Sequence, residues 1–332
     1  MPYTENQVLE LEEVASGLLF PEGPLALPDG SILVVEMCGG RLTRILPDGD
    51  GDGDGAGTGA RVHKTEVAAE TGGGPNGLAL GPDGAVYVGN NGGVAWQWVD
   101  GYVVAYGRAE DYTGGSIQRV DLASGEVTTL YTEFEGHPLN APNDIAFDAA
   151  GGFYFTDFGH VHERTRDRGA LYYGRPDGSA LRQVAFPLFD PNGVGLSPDG
   201  GRVYVSESVT ARVLWFDVES PGVFSTVDDP PYHYAPGTHL LARIAGHGSQ
   251  CLDSLAVDAE GNVCVGTLEN PGITVVSPKG DQTFLPMPGD ALTTNLCFAG
   301  DDRRTAYITR SATGTVVRTH WPVAGAPLPF EG

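Results

Sequence analysis

PNGLALGPDGAVYVGN, residues 75–90, is the stretch whose reading decides the fold. It runs from a proline and a polar residue through a short apolar strand, a Pro-Asp-Gly turn and a second apolar strand. That is a β-hairpin, with turn residues supplying the backbone angles of the reversal. The pattern recurs five times more: PEGPLALPDGSILVVE from Pro21, PNDIAFDAAGGFYFTD from Pro142, PNGVGLSPDGGRVYVSE from Pro191, LDSLAVDAEGNVCVGT from Leu252 and TNLCFAGDDRRTAYITR from Thr294. The second residues of the six copies, in chain order, are Glu22, Asn76, Asn143, Asn192, Asp253 and Asn295, at intervals of 54, 67, 49, 61 and 42 residues. Each interval holds a four-stranded sheet and its loops. Six such units predict an all-β fold, a six-bladed β-propeller formed by residues 1–332 as a single domain.

The segments between the hairpins fit the outer strands, for example SIQRVDLASGEVTTLY from Ser116 and ARVLWFDVE from Ala211. VLELEEVASGLL, from Val8, is expected to pair beside the last blade near Thr315 and close the ring. Two segments stand outside the pattern. DGDGDGDGAGTGA, from Asp48, has the look of a calcium loop but reads better as a flexible acidic loop of the first blade, because glycine-rich chain is costly to order. GHVHERTRDRG, from Gly159, reads as a loop over one face.

Composition agrees with many turns and a packed core: 49 Gly, 24 Pro and 41% hydrophobic residues in 332. With 43 acidic residues against 19 basic ones, the formal charge of −24 repels phosphate backbones and anionic headgroups. No nucleic acid and no membrane partner is expected, and no apolar run reaches the length of a membrane span. The start, MPYTENQVLELEE, has neither a basic nor an apolar leader region, and the four cysteines form no close pair. A soluble cytoplasmic protein with reduced, mostly buried thiols is the expectation; the sequence assigns no oligomeric state.

Rotational repetition has a chemical consequence. Equivalent positions on six blades converge at the axis, which would bring one Glu, one Asp and four Asn together. These are hard oxygen donors without sulfur or imidazole, suited to Ca²⁺, with Mg²⁺, Mn²⁺ and Zn²⁺ as alternatives. Asn76-Gly77 and Asn192-Gly193 are also ordinary turn dipeptides when read singly. The turn reading does not account for Glu22 and Asp253 at the same register.

FPEGP at Phe20, LNAPND at Leu139, FPLFDPNGVGLSPDG at Phe186 and LDSLAVDAEGN at Leu252 carry a resemblance that spans about Leu11 to Arg318. The chain resembles the SMP-30/gluconolactonase/LRE-like family, which includes regucalcin, sugar lactonases and phosphotriesterase-like hydrolases. The resemblance implies a divalent cation held by Glu22, Asn143, Asn192 and Asp253, with Asn76 and Asn295 lining the same pocket. It implies hydrolysis of a small lactone or ester, the cation polarising the carbonyl and Asp253 or a cation-bound water acting as base or nucleophile. Asn140 matches a substrate-contacting position. His137-Pro138 replaces an arginine-containing pattern that sugar lactonases use there, which argues for a less hydroxylated substrate. Arg310, after YITR, matches the pocket rim, where it would meet an anionic group. Asp144 reads either as a brace for the ligands or as a strand-end carboxylate. Phosphotriesterase-like hydrolysis on the same site and a non-enzymatic calcium- or partner-binding propeller are the alternatives. No GxSxG elbow is present.

Overall fold

Every regular element among the described residues is a strand; six sheets of four or five strands stand around one axis, and two two-stranded ladders lie outside them. The computed structural model describes residues 2–47, 63–226, 235–244 and 250–330; the Asp/Gly segment from Asp48 lies outside them. The inner strands are Pro21–Ala26, Pro75–Leu80, Pro142–Phe147, Pro191–Leu196, Cys251–Val257 and Thr293–Ala299. Each packs against the inner strands before and after it, the first against the last, so the ring is closed. This is the six-bladed propeller.

The six hairpins form where the repeat places them. Turn aspartates cap their own reversals: Asp29 accepts from Ser31 N–H, Asp148 from Gly152 N–H and Asp258 from Asn262 N–H. The core is not one mass but six seams between neighbouring blades. Leu33, Leu42, Leu78 and Val86 fill the seam between blades one and two; Leu285, Leu296, Ile308 and Val317 fill that between five and six.

Glu12–Ala15 pairs antiparallel with Thr315–His320, Glu13 opposite Val317, and completes the sixth blade as its outermost strand. The opening segment therefore closes the ring as expected. One sequence expectation is corrected here. All four cysteines are free, but only Cys264 is buried; Cys38, at the edge of the seam between blades one and two, Cys251 and Cys297 are partly exposed.

Two blades carry long connections between their second and third strands, on the side where the inner strands begin. In blade two this connection contains the hairpin Val94–Val99/Tyr102–Arg108. Trp96 packs on Phe20 of blade one at 4.9 Å between ring centroids, and Val103 N–H donates to Ala312 O of blade six at 3.1 Å. The hairpin thus crosses blade one. In blade three, residues 158–168 are held by an ion pair from Arg166 to Asp190 of blade four.

Candidate functional site

At the start of every inner strand the pairing register slips. The breaks fall between Glu22 and Leu25, Pro75 and Leu78, Pro142 and Ile145, Pro191 and Val194, Leu252 and Leu255, and Thr293 and Asn295. A β-bulge re-aims a side chain, and here it does so six times at the repeat's polar residue. The glycines that follow allow neighbouring blades to touch: a Cβ on Gly77 would lie 2.6 Å from Asp144 Cα, and one on Gly193 2.6 Å from Leu255 N. Asn76-Gly77 and Asn192-Gly193 are therefore strand residues at a close approach, not turns.

Glu22, Asn76, Asn143, Asn192 and Asn295 are buried, and Asp253 is partly exposed. Asn295 Nδ2 donates to Glu22 Oε2 at 3.1 Å, and Gly23 N–H donates to the same oxygen at 2.7 Å. Asn192 Nδ2 donates to Ser208 Oγ, its Oδ1 accepts from Ser254 Oγ at 3.3 Å, and its amide also reaches Asp253. Asp144 is buried beside them and accepts N–H bonds from Ile145 and from Val194 of the next blade. It both braces the ring and ties blade three to blade four.

Three carboxylates lie within electrostatic reach of one another, and among the described residues no Lys, Arg or His pairs with them. Burial pushes the Glu22 carboxyl up to about 7, against hydrogen bonds from Gly23, Thr294 and Asn295. Burial also raises Asp144 to about 7, the Glu22 charge adding to it. Asp253 is raised well above the usual range, first by burial and then by the charges of Glu22 and Asp144. Such a set favours either protons or a cation.

Asn143 Oδ1 is buried with no hydrogen-bond partner. An orphaned amide oxygen at the inner-strand position that carries Glu22 and Asp253 in other blades fits an oxygen-coordinated divalent ion. Among the described residues no three His, Cys, Asp or Glu side chains could hold an ion by themselves, so amide oxygens would have to complete the shell.

The remaining residues fall around this ring. Asn140 presents its carbonyl to Tyr112 Oη at 2.6 Å and to His160 Nε2 at 3.1 Å, while its N–H is held by Asp157. Arg310 donates to Gly289 O, and its buried Nε has no partner. Among the described residues it is not paired with any acid. His137 is exposed on a two-residue ladder opposite Phe134.

One set of residues escaped the sequence reading although its signal was present. The last residues of the first four copies, Glu36, Asn90, Asp157 and Glu207, accept backbone N–H bonds from Leu19, Gly74, Ala141 and Phe189 respectively. Each clamps the loop that leads into an inner strand and so fixes where the ring residue starts. The recurring E, N, D and E were visible at the ends of the repeat.

The family model for the SMP-30/gluconolactonase/LRE-like region matches residues 20–312. The chain belongs to this family. It is 26% identical to a gluconolactonase of Zymomonas mobilis over 93% of this chain and 81% of that protein. Regucalcin from Agrobacterium tumefaciens, a calcium-binding protein, superposes with a TM-score of 0.72 at 16% identity, covering 99% of this chain and all of that one. A gluconolactonase from Xanthomonas campestris superposes with a TM-score of 0.68 at 19% identity, covering 95% and 91%. At these identities the two structures speak for the shared family fold alone.

Proposed function

We propose that this protein is a lactonase, a hydrolase of cyclic esters, whose site holds one divalent cation through Glu22, Asn143, Asn192 and Asp253. The observation that carries the reading is the buried Asn143 Oδ1, which has no partner, at the repeat position that Glu22 and Asp253 occupy on their own inner strands. Family membership and the gluconolactonase relative support the reaction class. Oxygen-only donors favour Ca²⁺, with Mg²⁺, Mn²⁺ and Zn²⁺ behind it. When bound, the cation supplies Lewis-acid polarisation of the ester carbonyl.

The chain's own residues do the rest. Glu22 is fixed by Asn295 and the Gly23 N–H, and so contributes charge in one orientation. Asp253 is the ring carboxylate open to substrate, with the Asn192 amide steadying it. It is placed to take a proton from an attacking water. Asn76 and Asn140 offer amide groups to ring and hydroxyl oxygens of the substrate, and Arg310 offers positive charge from its guanidinium at the rim. His137, exposed, is the weakest member of the set. The hairpin 94–108 walls the blade-one side and limits water access.

The test is an assay of chelator-stripped protein, with each of the four cations restored in turn, on gluconolactone, an unsubstituted lactone, an aryl ester and an organophosphate. Stripping is expected to remove lactone hydrolysis, Ca²⁺ to restore it, and Asp253→Asn to lower kcat by about 10²–10⁴. A higher kcat/KM on the organophosphate would replace the lactonase reading with the phosphotriesterase-like one. Unchanged hydrolysis by Asp253→Asn would remove Asp253 from the mechanism, and no hydrolysis of any ester by the wild type would favour a binding module.

A further inference from the structure

Beneath the ring of polar residues the axis opens into a cavity of about 340 Å³. Every blade contributes at least one large apolar side chain to its wall, among them Leu25, Leu80, Phe147, Leu196, Val257 and Phe298. Its floor is chain that belongs to no blade, residues 326–330. Ala326 N–H donates to Val257 O at 3.0 Å, Arg303 Nη1 donates to Ala326 O at 3.1 Å, and the Phe330 ring meets Phe147 edge-on at 5.7 Å. This segment covers part of this end of the axis and leaves an opening to solvent.

The ceiling is Gly23, Asp144 and Asn295, and their polar atoms are already engaged. Asp144 accepts from Ile145 and Val194, while Asn295 spans Glu22 and the Leu296 N–H. Water needs two to four polar partners to settle in a cavity, and this wall offers few. The carboxylate above and the charge of −24 disfavour an anionic occupant.

We propose that this cavity is a second binding site, distinct from the polar ring, for a small uncharged and mostly apolar molecule, alkyl or aromatic. Its volume is about twice that of an engineered cavity that holds benzene. The site requires neither the cation nor a lactone, so it stands or falls separately from the hydrolytic reading.

The full chain is titrated with N-phenyl-1-naphthylamine, an uncharged fluorescent probe. One saturable site is expected, competed by decanol and not by decanoate. Ala146→Trp and Ala256→Phe, which add bulk to the cavity wall, are each expected to weaken the probe by about tenfold or more, with melting temperature confirming that the variant is folded. Trp98→Ser, on the exposed hairpin, is expected to leave binding unchanged. Xenon under pressure gives a readout independent of any variant, with an atom expected in the cavity of wild-type crystals. Absence of saturable binding, full affinity in the folded filled variants, loss of binding in Trp98→Ser, or a cavity without xenon would each overturn the proposal.

Discussion

A carboxylate taken out of water without a cationic partner is among the costliest side chains a fold can carry, and this chain gathers Glu22, Asp144 and Asp253 at one spot. The cost has a sign that can be measured. In cation-free protein the folded state holds these protons after the unfolded chain has released them, so the unfolded state binds fewer protons above the ordinary carboxylate range. Stability then falls as pH rises from about 4 toward the raised value near 7 of Glu22 and Asp144. The melting temperature of chelator-treated protein is expected to be lower at pH 8 than at pH 5. Added Ca²⁺ should raise it, and by more at pH 8, where it no longer competes with protons. A Ca²⁺ effect that is equal at both pH values would contradict a carboxylate-bound ion. At this scale the sequence was informative only through register. Asn76-Gly77 alone reads as a turn; Glu22 and Asp253 at the matching position are what argue for a shared centre. The reason for the glycines, contact between one blade and the next, is a tertiary fact that no dipeptide displays.

Elements that repeat were legible, and elements that occur once were not. All six inner hairpins follow from alternating apolar runs around a turn, because local chemistry dictates them. Among the described residues the hairpin of blade two has no counterpart in the other blades, so nothing in the pattern announced that it would cross to blade six. Its anchor is the Val103 N–H to Ala312 O bond. Val103→Pro removes that donor and also disturbs a side chain buried in the seam of blades one and two; KM for the lactone is expected to rise several-fold, and the melting temperature to fall with it. Steady-state kinetics beside a thermal scan checks both halves. The clamps behave differently, since they are built into the blades. Glu207 is fully buried, accepts the Phe189 N–H and pairs with Arg212. Glu207→Ala strips a buried guanidinium of that carboxylate and is expected to cost about 3–5 kcal/mol, read from the urea midpoint. Glu207→Gln keeps an acceptor for Phe189 and should cost less.

For the molecule as a whole, the chain's two halves of the sixth blade come from opposite ends of the sequence. Three strands follow residue 293, while the fourth, Glu12–Ala15, precedes everything else. The sequence showed this only as a leftover apolar segment, Val8 to Leu19, that no blade of its own could absorb; the pairing itself depends on closing a loop of about three hundred residues, which no local signal encodes. Arg318 and Glu12 then bridge the seam with a paired hydrogen bond at 2.8 and 2.9 Å.

That arrangement sets a timetable on the ribosome. The first strand to emerge is the last to find a neighbour, and it waits through the synthesis of five complete blades with its backbone donors and acceptors uncovered. Its acidic flank, Glu10, Glu12 and Glu13, suits such a delay, because charge on an unpaired edge discourages joining to a second chain. Nascent chains arrested before Thr315 should therefore be cut by protease between Val8 and Gly17, and chains released after His320 should resist. Protection of that segment in the arrested chains would mean that the ring is sealed in some other order.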